Sequence, residues 1–297
     1  MAPVEVRFPS GRDVECTAWL YLPEGEGPFP VVVMAPELGG VRRMGLPAFA
    51  ARFHRGGYAC LLFDHRNFGD SDGEPRQLLN VHDQQEDLAA AIVYARRRPD
   101  IDADRVVLWG TGLGGGHAIT SSAYDRDVAA VIAQAPFTDG PASIRRLGCG
   151  AALRLGFRAV VDAVRAWFVR PSLYVPLYGE RGSGAVVTGP GVVESVHRLV
   201  PEDVEVREDT PARSALQLLV YQPGRETVRV SCPILFCVAA EDEVAPALRT
   251  LRLAESAPFG EVRTYPTGHF GMFEGEWFER AVTDQLDFLR THVPTTD

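Results

Sequence analysis

Four short stretches hold residues whose types and spacing could do chemistry. In "VVLWGTGLGGGHA", residues 106–118, the run Gly110-Thr111-Gly112-Leu113-Gly114-Gly115 satisfies G-x-G-x-x-G, a loop that cradles dinucleotide phosphates. It equally satisfies G-x-S-x-G with Gly112 in place of the serine, a sharp strand-to-helix turn that presents a nucleophile. The second reading demands an acid after a later strand and a histidine after the next, and both are present. "ILFCVAAEDEVAP" places Asp242 just past one apolar run, and "VRTYPTGHFGMF" places His269 just past another. The dinucleotide reading demands an acid ending the next strand, to hold a ribose. Here Asp125 and Asp127 precede that strand, so no cofactor is expected.

A hydroxyl nucleophile is what acyl transfer needs at such a turn, and Gly112 has no side chain, so no acyl-enzyme can form there. His269, oriented by Asp242, remains available as a general base, and backbone N–H groups at Leu38 and Leu113 lie where an anionic oxygen would sit. In "VVVMAPELGG", Glu37 joins them. A carboxylate there opposes a tetrahedral oxyanion but suits proton transfer; the alternative is a loop carboxylate paired with Arg42 or Arg43. A base in a dry pocket without a nucleophile suits elimination: a proton α to a carbonyl is removed and a β-substituent leaves.

The remaining polar residues have blander roles. His65, after the fourth strand, could line the pocket. His117 packs, His54 and His82 belong to the surface or to helix ends, and Asp139 caps the entry to the cap segment described below. No His/Cys/Asp cluster has metal-ligand spacing, so no metal is expected. The five cysteines are odd in number, and Cys16, Cys60 and Cys237 sit in strand-like runs, which reads as reduced, buried thiols. Cys149, in a more polar setting, is the one alternative nucleophile among them.

The elements that must position these residues follow from alternation of short apolar runs with helix-length amphipathic segments. Strands are expected at 4–8, 16–22, 31–35, 59–63, 106–109, 129–135, 234–239 and 262–265, the first two antiparallel. The rest are read as near-continuous apolar runs, as strands buried on both faces must be. Helices are expected at 47–55, 78–97, 113–124, 246–256 and 277–292. This is an α/β fold with a mostly parallel sheet of about eight strands and helices on both faces.

The alternation breaks between 137 and 231, an excursion long enough to be a cap. The core is therefore assigned to 1–137 and 231–297, and the cap to 138–230. Within the cap, helices are expected at 142–155 and 157–168. Phe157, Val161, Val164, Trp167 and Phe168, at helical spacing, are expected to pack the cap on the body, with Trp167 and Phe168 reaching the pocket roof.

The chain has 297 residues, 46% hydrophobic and 23% charged, with net charge −9. With no Lys/Arg cluster in the sequence, nucleic acid and acidic membrane surfaces are disfavoured as partners. A small-molecule substrate is expected, and a homodimer is left open. Neither a secretory leader nor an apolar run of membrane-spanning length is evident, so the expected location is cytoplasmic.

With these motifs in place, the chain resembles the α/β-hydrolase superfamily over nearly its whole length. "LLFDHRNFGDSDG" and "VIAQAPFTDG" add to the stretches already quoted. The resemblance is greatest to capped esterases, thioesterases and acyltransferases of natural-product pathways, which carry H-G-x-G-G after the third strand and a serine at the turn. Pro36-Glu37 and Gly112 depart from that pattern. Superfamily members that eliminate acetate in tetronate and spirotetronate pathways imply a lyase. The rival readings are a serine esterase, thioesterase or acyltransferase whose serine was replaced by Gly112, and a non-catalytic ligand-binding protein.

Overall fold

A computed structural model describes residues 2–295 of the protein. In chain order the first elements are β1 (Val4–Pro9), β2 (Glu15–Tyr21), β3 (Phe29–Ala35), α1 (Leu46–Arg55), β4 (Ala59–Phe63), α2 (Val81–Arg96), β5 (Ile101–Thr111), α3 (Leu113–Tyr124) and β6 (Val128–Gln134). After the excursion come β11 (Ile234–Ala239), α8 (Ala247–Ala254), β12 (Gly260–Tyr265) and α9 (Gly275–His292). The sheet runs β1-β2-β4-β3-β5-β6-β11-β12. β2 pairs antiparallel with β1 and β4, and every later pairing is parallel. This is the α/β-hydrolase fold.

Parallel strands need cover on both faces, and the sequence supplies it. Phe49 and Phe53 of α1, with Leu286 and Leu289 of α9, pack one face; Leu88 of α2, Ile119 of α3 and Ala254 of α8 pack the other. Trp109, fully buried, donates its indole N–H to Gln285 at 2.9 Å. Register then fixes the site. Ala35 pairs with Gly110, Gln134 with Cys237, and Ala239 with Tyr265, so the loops that follow all leave the same edge of the sheet. That carboxyl edge is where open α/β sheets bind ligands.

Between β6 and β11 lie α4 (Gly140–Arg145), α5 (Cys149–Trp167), β7 (Tyr174–Pro176), β8 (Tyr178–Gly179), β9 (Val187–Thr188), α6 (Val192–Leu199), β10 (Asp209–Pro211) and α7 (Ser214–Val220). Asp139 caps α4 by accepting the Ala142 N–H at 2.9 Å. The helix break falls at Gly148, with φ +79°, and not near Gly156, which sits inside α5. The short α4 and the 19-residue α5 therefore stand where helices were expected at 142–155 and 157–168. A short 3-10 helix, Pro223–Arg229, returns the chain to the body beside α3.

Candidate active site

The turn between β5 and α3 is built around Gly112. Its φ of +49° lies in the left-handed region that favours glycine. The glycines that follow serve packing: a Cβ on Gly114 would collide with the carbonyls of Ala35 and Pro36, so glycine lets α3 start against the end of β3. This is a strand-to-helix elbow, and its glycines are accounted for without a phosphate.

Glu37 reaches into the elbow from the loop after β3. Its Oε1 accepts the Leu38 N–H at 2.7 Å and the Leu113 N–H at 3.2 Å, the two backbone donors for which the sequence reading expected an anionic oxygen. Its Oε2 lies 3.0 Å from His269 Nε2. A Cβ built on Gly112 would overlap Oε2, so the carboxylate fills the volume that a serine side chain would need. His269 Nδ1 is 2.7 Å from Asp242 Oδ2, and Asp242 Oδ1 accepts the N–H groups of Val244 (2.8 Å) and Ala245 (2.6 Å). The imidazole is thus held between two carboxylates.

That arrangement decides its charge. Burial pushes the His269 pKa down, but the charge and hydrogen bond of Asp242, then those of Glu37, outweigh it and raise it to about 10. Two carboxylate neighbours favour the protonated form of His269, which makes it the acid of the pair where the sequence reading expected a base. Glu37 Oε2 is its hydrogen-bond acceptor. Neither Arg42 nor Arg43 neutralises Glu37: Arg42 is buried in an ion pair with Asp64, and Arg43 reaches Asp70.

A cavity opens over this trio. Phe137, Ile144, Leu147, Val186, Val187 and Phe270 make most of its wall apolar. Ser143 and Thr188 also line it, and the hydroxyl oxygen of each is buried without a hydrogen-bond partner among the described residues. Tyr178, on the excursion between β6 and β11, donates its phenol O–H to the Leu38 carbonyl at 2.6 Å, tying that segment to the residue whose N–H holds Glu37. Ser143, Tyr178 and Thr188 lie more than 100 positions from Glu37 in the chain, and no motif marks them.

Other expected site residues lie elsewhere. Trp167 and Phe168, at the end of α5, are 87% and 70% exposed and do not roof the cavity. Nor do Phe157 and Val164 pack the cap on the body, since both are exposed. The side of α5 turned inward carries Ala151, Leu155 and Ala159 instead. His65 is buried between Phe63 and His117 with Nδ1 toward Asp87, away from the cavity. His117 is packed among Gln84, Gln85 and Tyr221, and burial lowers its pKa well below the ordinary value. Cys149 is exposed at the start of α5, and the other four cysteines are buried and unbridged. His82, Asp83 and Glu86 do gather on the exposed start of α2, a grouping the spacing argument passed over. Arg66 already pairs with both of its carboxylates.

The family model described as Serine aminopeptidase, S33 matches residues 43–274. The chain belongs to this family. It is 46% identical to the quorum-quenching protein AidA of Acinetobacter baumannii over 293 residues, covering 99% of this chain and 96% of that one. It is 28% identical to the polyketide transferase ATR5 of Stachybotrys chlorohalonatus, covering 98% and 97% of the two chains. Among solved structures, the α/β hydrolase GrgF from Penicillium superposes with a TM-score of 0.85 at 24% identity, covering 98% of this chain and 99% of that one.

Proposed function

We propose that this protein is an enzyme that acts on a small, largely apolar acylated metabolite by proton transfer between Glu37 and His269, without an acyl-enzyme. The reaction is elimination of a carboxylic acid from a β-acyloxy carbonyl compound. The observation that carries this reading is the Glu37 carboxylate seated on the Leu38 and Leu113 N–H groups and against His269. Seated there, it blocks a substrate oxyanion from those donors, which disfavours ordinary acyl transfer. It also stands as a base beside an acid.

The step balances within the pair. Glu37 Oε2 takes the proton α to the carbonyl, the C–H electrons form the new double bond, and the β C–O bond breaks. The His269 imidazolium protonates the departing carboxylate. Glu37 is then a neutral acid and His269 a neutral base, and transfer across their 3.0 Å contact restores both. Asp242 holds the imidazole in register throughout. Acetate as the leaving group, from an acetylated hydroxymethyl tetronate, is the substrate class proposed from the motif resemblance to acetate-eliminating superfamily members.

Gly112 and Glu37 are read as a matched pair. The present seat of Glu37 exists only because position 112 lacks a Cβ, a fit that removing a serine from a working esterase does not anticipate. A second reading, hydrolysis of a small signal molecule, is favoured by the 46% identity to a quorum-quenching protein. There Glu37 would activate water and His269 protonate the leaving alcohol. Mass spectrometry of the product from an acylated β-hydroxycarbonyl substrate tests both. Loss of the acid without gain of water supports elimination; addition of water overturns it in favour of hydrolysis.

A further inference from the structure

α5 is apolar on two opposite sides. At 3.6 residues per turn, Ala151, Leu155 and Ala159 fall on the inward side, and Leu153, Phe157, Val160, Val164 and Trp167 form a stripe facing solvent. Phe168 and Val169 extend the stripe past the helix end, Val169 being 92% exposed. Arg154, Arg158 and Arg165 run along one border, and Arg170 follows the helix. None of these four arginines has a carboxylate partner among the described residues; Arg154 and Arg165 reach only the carbonyls of Gly182 and Pro171. The one acid in the segment, Asp162, is buried and bonded to Arg213. A chain of net charge −9 therefore presents one surface that is both oily and cationic.

We infer that α5 docks the protein on an anionic lipid surface. An aromatic and aliphatic stripe with arginines along its border is the pattern of a helix lying in the plane of a bilayer interface, where guanidinium groups meet headgroups and the rings enter the acyl boundary. A second copy of the chain fits less well. Two α5 helices face to face would bring unpaired arginines together with no carboxylate opposite. The linear sequence hid this surface because the arginines are spread over 17 residues and only the helix gathers them, so the expectation of no membrane partner is revised here.

Ser143, Ile144 and Leu147, which line the cavity, belong to the same α4–α5 segment. On the proposed reading of the site, docking would place the cavity near lipid that dissolves an apolar substrate. The binding claim itself does not depend on the reaction.

The full chain is tested by co-sedimentation with vesicles of phosphatidylcholine alone and with 30% phosphatidylglycerol, at low and high salt. We expect binding at least tenfold tighter to the anionic vesicles, weakening as salt rises. Arg154→Gln, Arg158→Gln and Arg165→Gln should each remove about fivefold of that affinity. Phe157→Ser with Trp167→Ser should lose binding to both kinds of vesicle. Near-ultraviolet circular dichroism checks that the variants are folded, since the altered side chains are exposed. Absence of binding, equal binding to neutral vesicles, or binding that survives both sets of substitutions would overturn the inference. So would a dimer that the Phe157→Ser, Trp167→Ser variant dissociates, which assigns the stripe to a second copy. Failure of the elimination reading leaves these measurements unaffected.

Discussion

Glu37→Gln removes a charge while keeping the side chain's shape and its carbonyl on the Leu38 and Leu113 N–H groups. In the wild type the carboxylate lies 3.0 Å, oxygen to nitrogen, from His269 Nε2. Two unit charges about 4 Å apart attract by about 4 kcal/mol at an effective dielectric constant near 20. That is roughly three pKa units. Asp242 remains, so His269 should not collapse to a buried, unpaired imidazole; it should fall from about 10 toward 7. The assay is an NMR titration of the ring carbons of all seven histidines, with His269 assigned by its loss in His269→Gln. Turnover at neutral pH should drop by about 100- to 10,000-fold, because the proposed base is gone. A His269 pKa that moves by less than about half a unit would refute the charge coupling. Near-normal turnover would remove Glu37 from the chemistry.

The same coupling should appear in stability. The folded pKa of His269, about 10, lies above its unfolded value near 6.5, so its contribution is complete below about pH 6.5 and is lost as pH rises through about 10. The unfolding free energy from urea titrations should fall across that window by about 1.4 kcal/mol per pH unit from this group, and by less in Glu37→Gln. Gly112→Ser places a Cβ inside the Glu37 carboxylate at a positive φ, so it should destabilise by about 1 to 3 kcal/mol. It should not hydrolyse simple p-nitrophenyl esters at ordinary enzyme rates of about 1 to 1000 per second; such rates would favour a disabled serine esterase. Tyr178→Phe removes the hydroxyl on the buried Leu38 carbonyl, costing about 1 to 3 kcal/mol in thermal unfolding. Its kcat should fall more than its KM rises, because the lost bond loosens the residue that holds Glu37 while the ring still lines the cavity.

The sheet was legible because burial on both faces leaves little choice of residue. Runs such as Val31–Val33 and Ile234–Val238 are apolar without interruption, and all eight expected strands are present in one sheet. The elbow, Asp242 and His269 were legible because each follows a strand in a demanded order. The orientation of α5 was not. Helical periodicity marks an apolar stripe without saying what covers it, and when both sides of a helix are apolar the larger residues mislead. Phe157 and Trp167 outweighed Ala151 and Ala159 in the sequence, yet the small residues face inward. Glu37 stood out as a departure, but its seat on two N–H donors exists only once the β3 and β5 loops are brought side by side. The protonation of His269 was hidden for the same reason. One carboxylate partner leaves an imidazole free to act as a base, and two hold its proton on.

The double occupancy of the Leu38 and Leu113 N–H groups has a consequence for turnover. A substrate carbonyl can reach those donors only by displacing Glu37 Oε1. A displaced Glu37 loses hydrogen bonds that stabilise its charged form and becomes a stronger base. If Oε2 also leaves Nε2, His269 loses one of its two compensating charges and becomes a stronger acid. Binding would thus sharpen both partners in the directions that proton transfer needs, and the resting state would hold them mutually quenched. An unreactive ligand bearing a carbonyl but no leaving group separates this from a static site. Saturating it should lower the His269 pKa in the same direction as Glu37→Gln, and that shift should vanish in the Glu37→Gln background because there is no charge left to displace. A ligand that binds in the cavity and leaves the His269 titration unchanged would mean that Glu37 keeps its seat, and that the carbonyl is received instead by the unpartnered hydroxyls of Ser143 and Thr188.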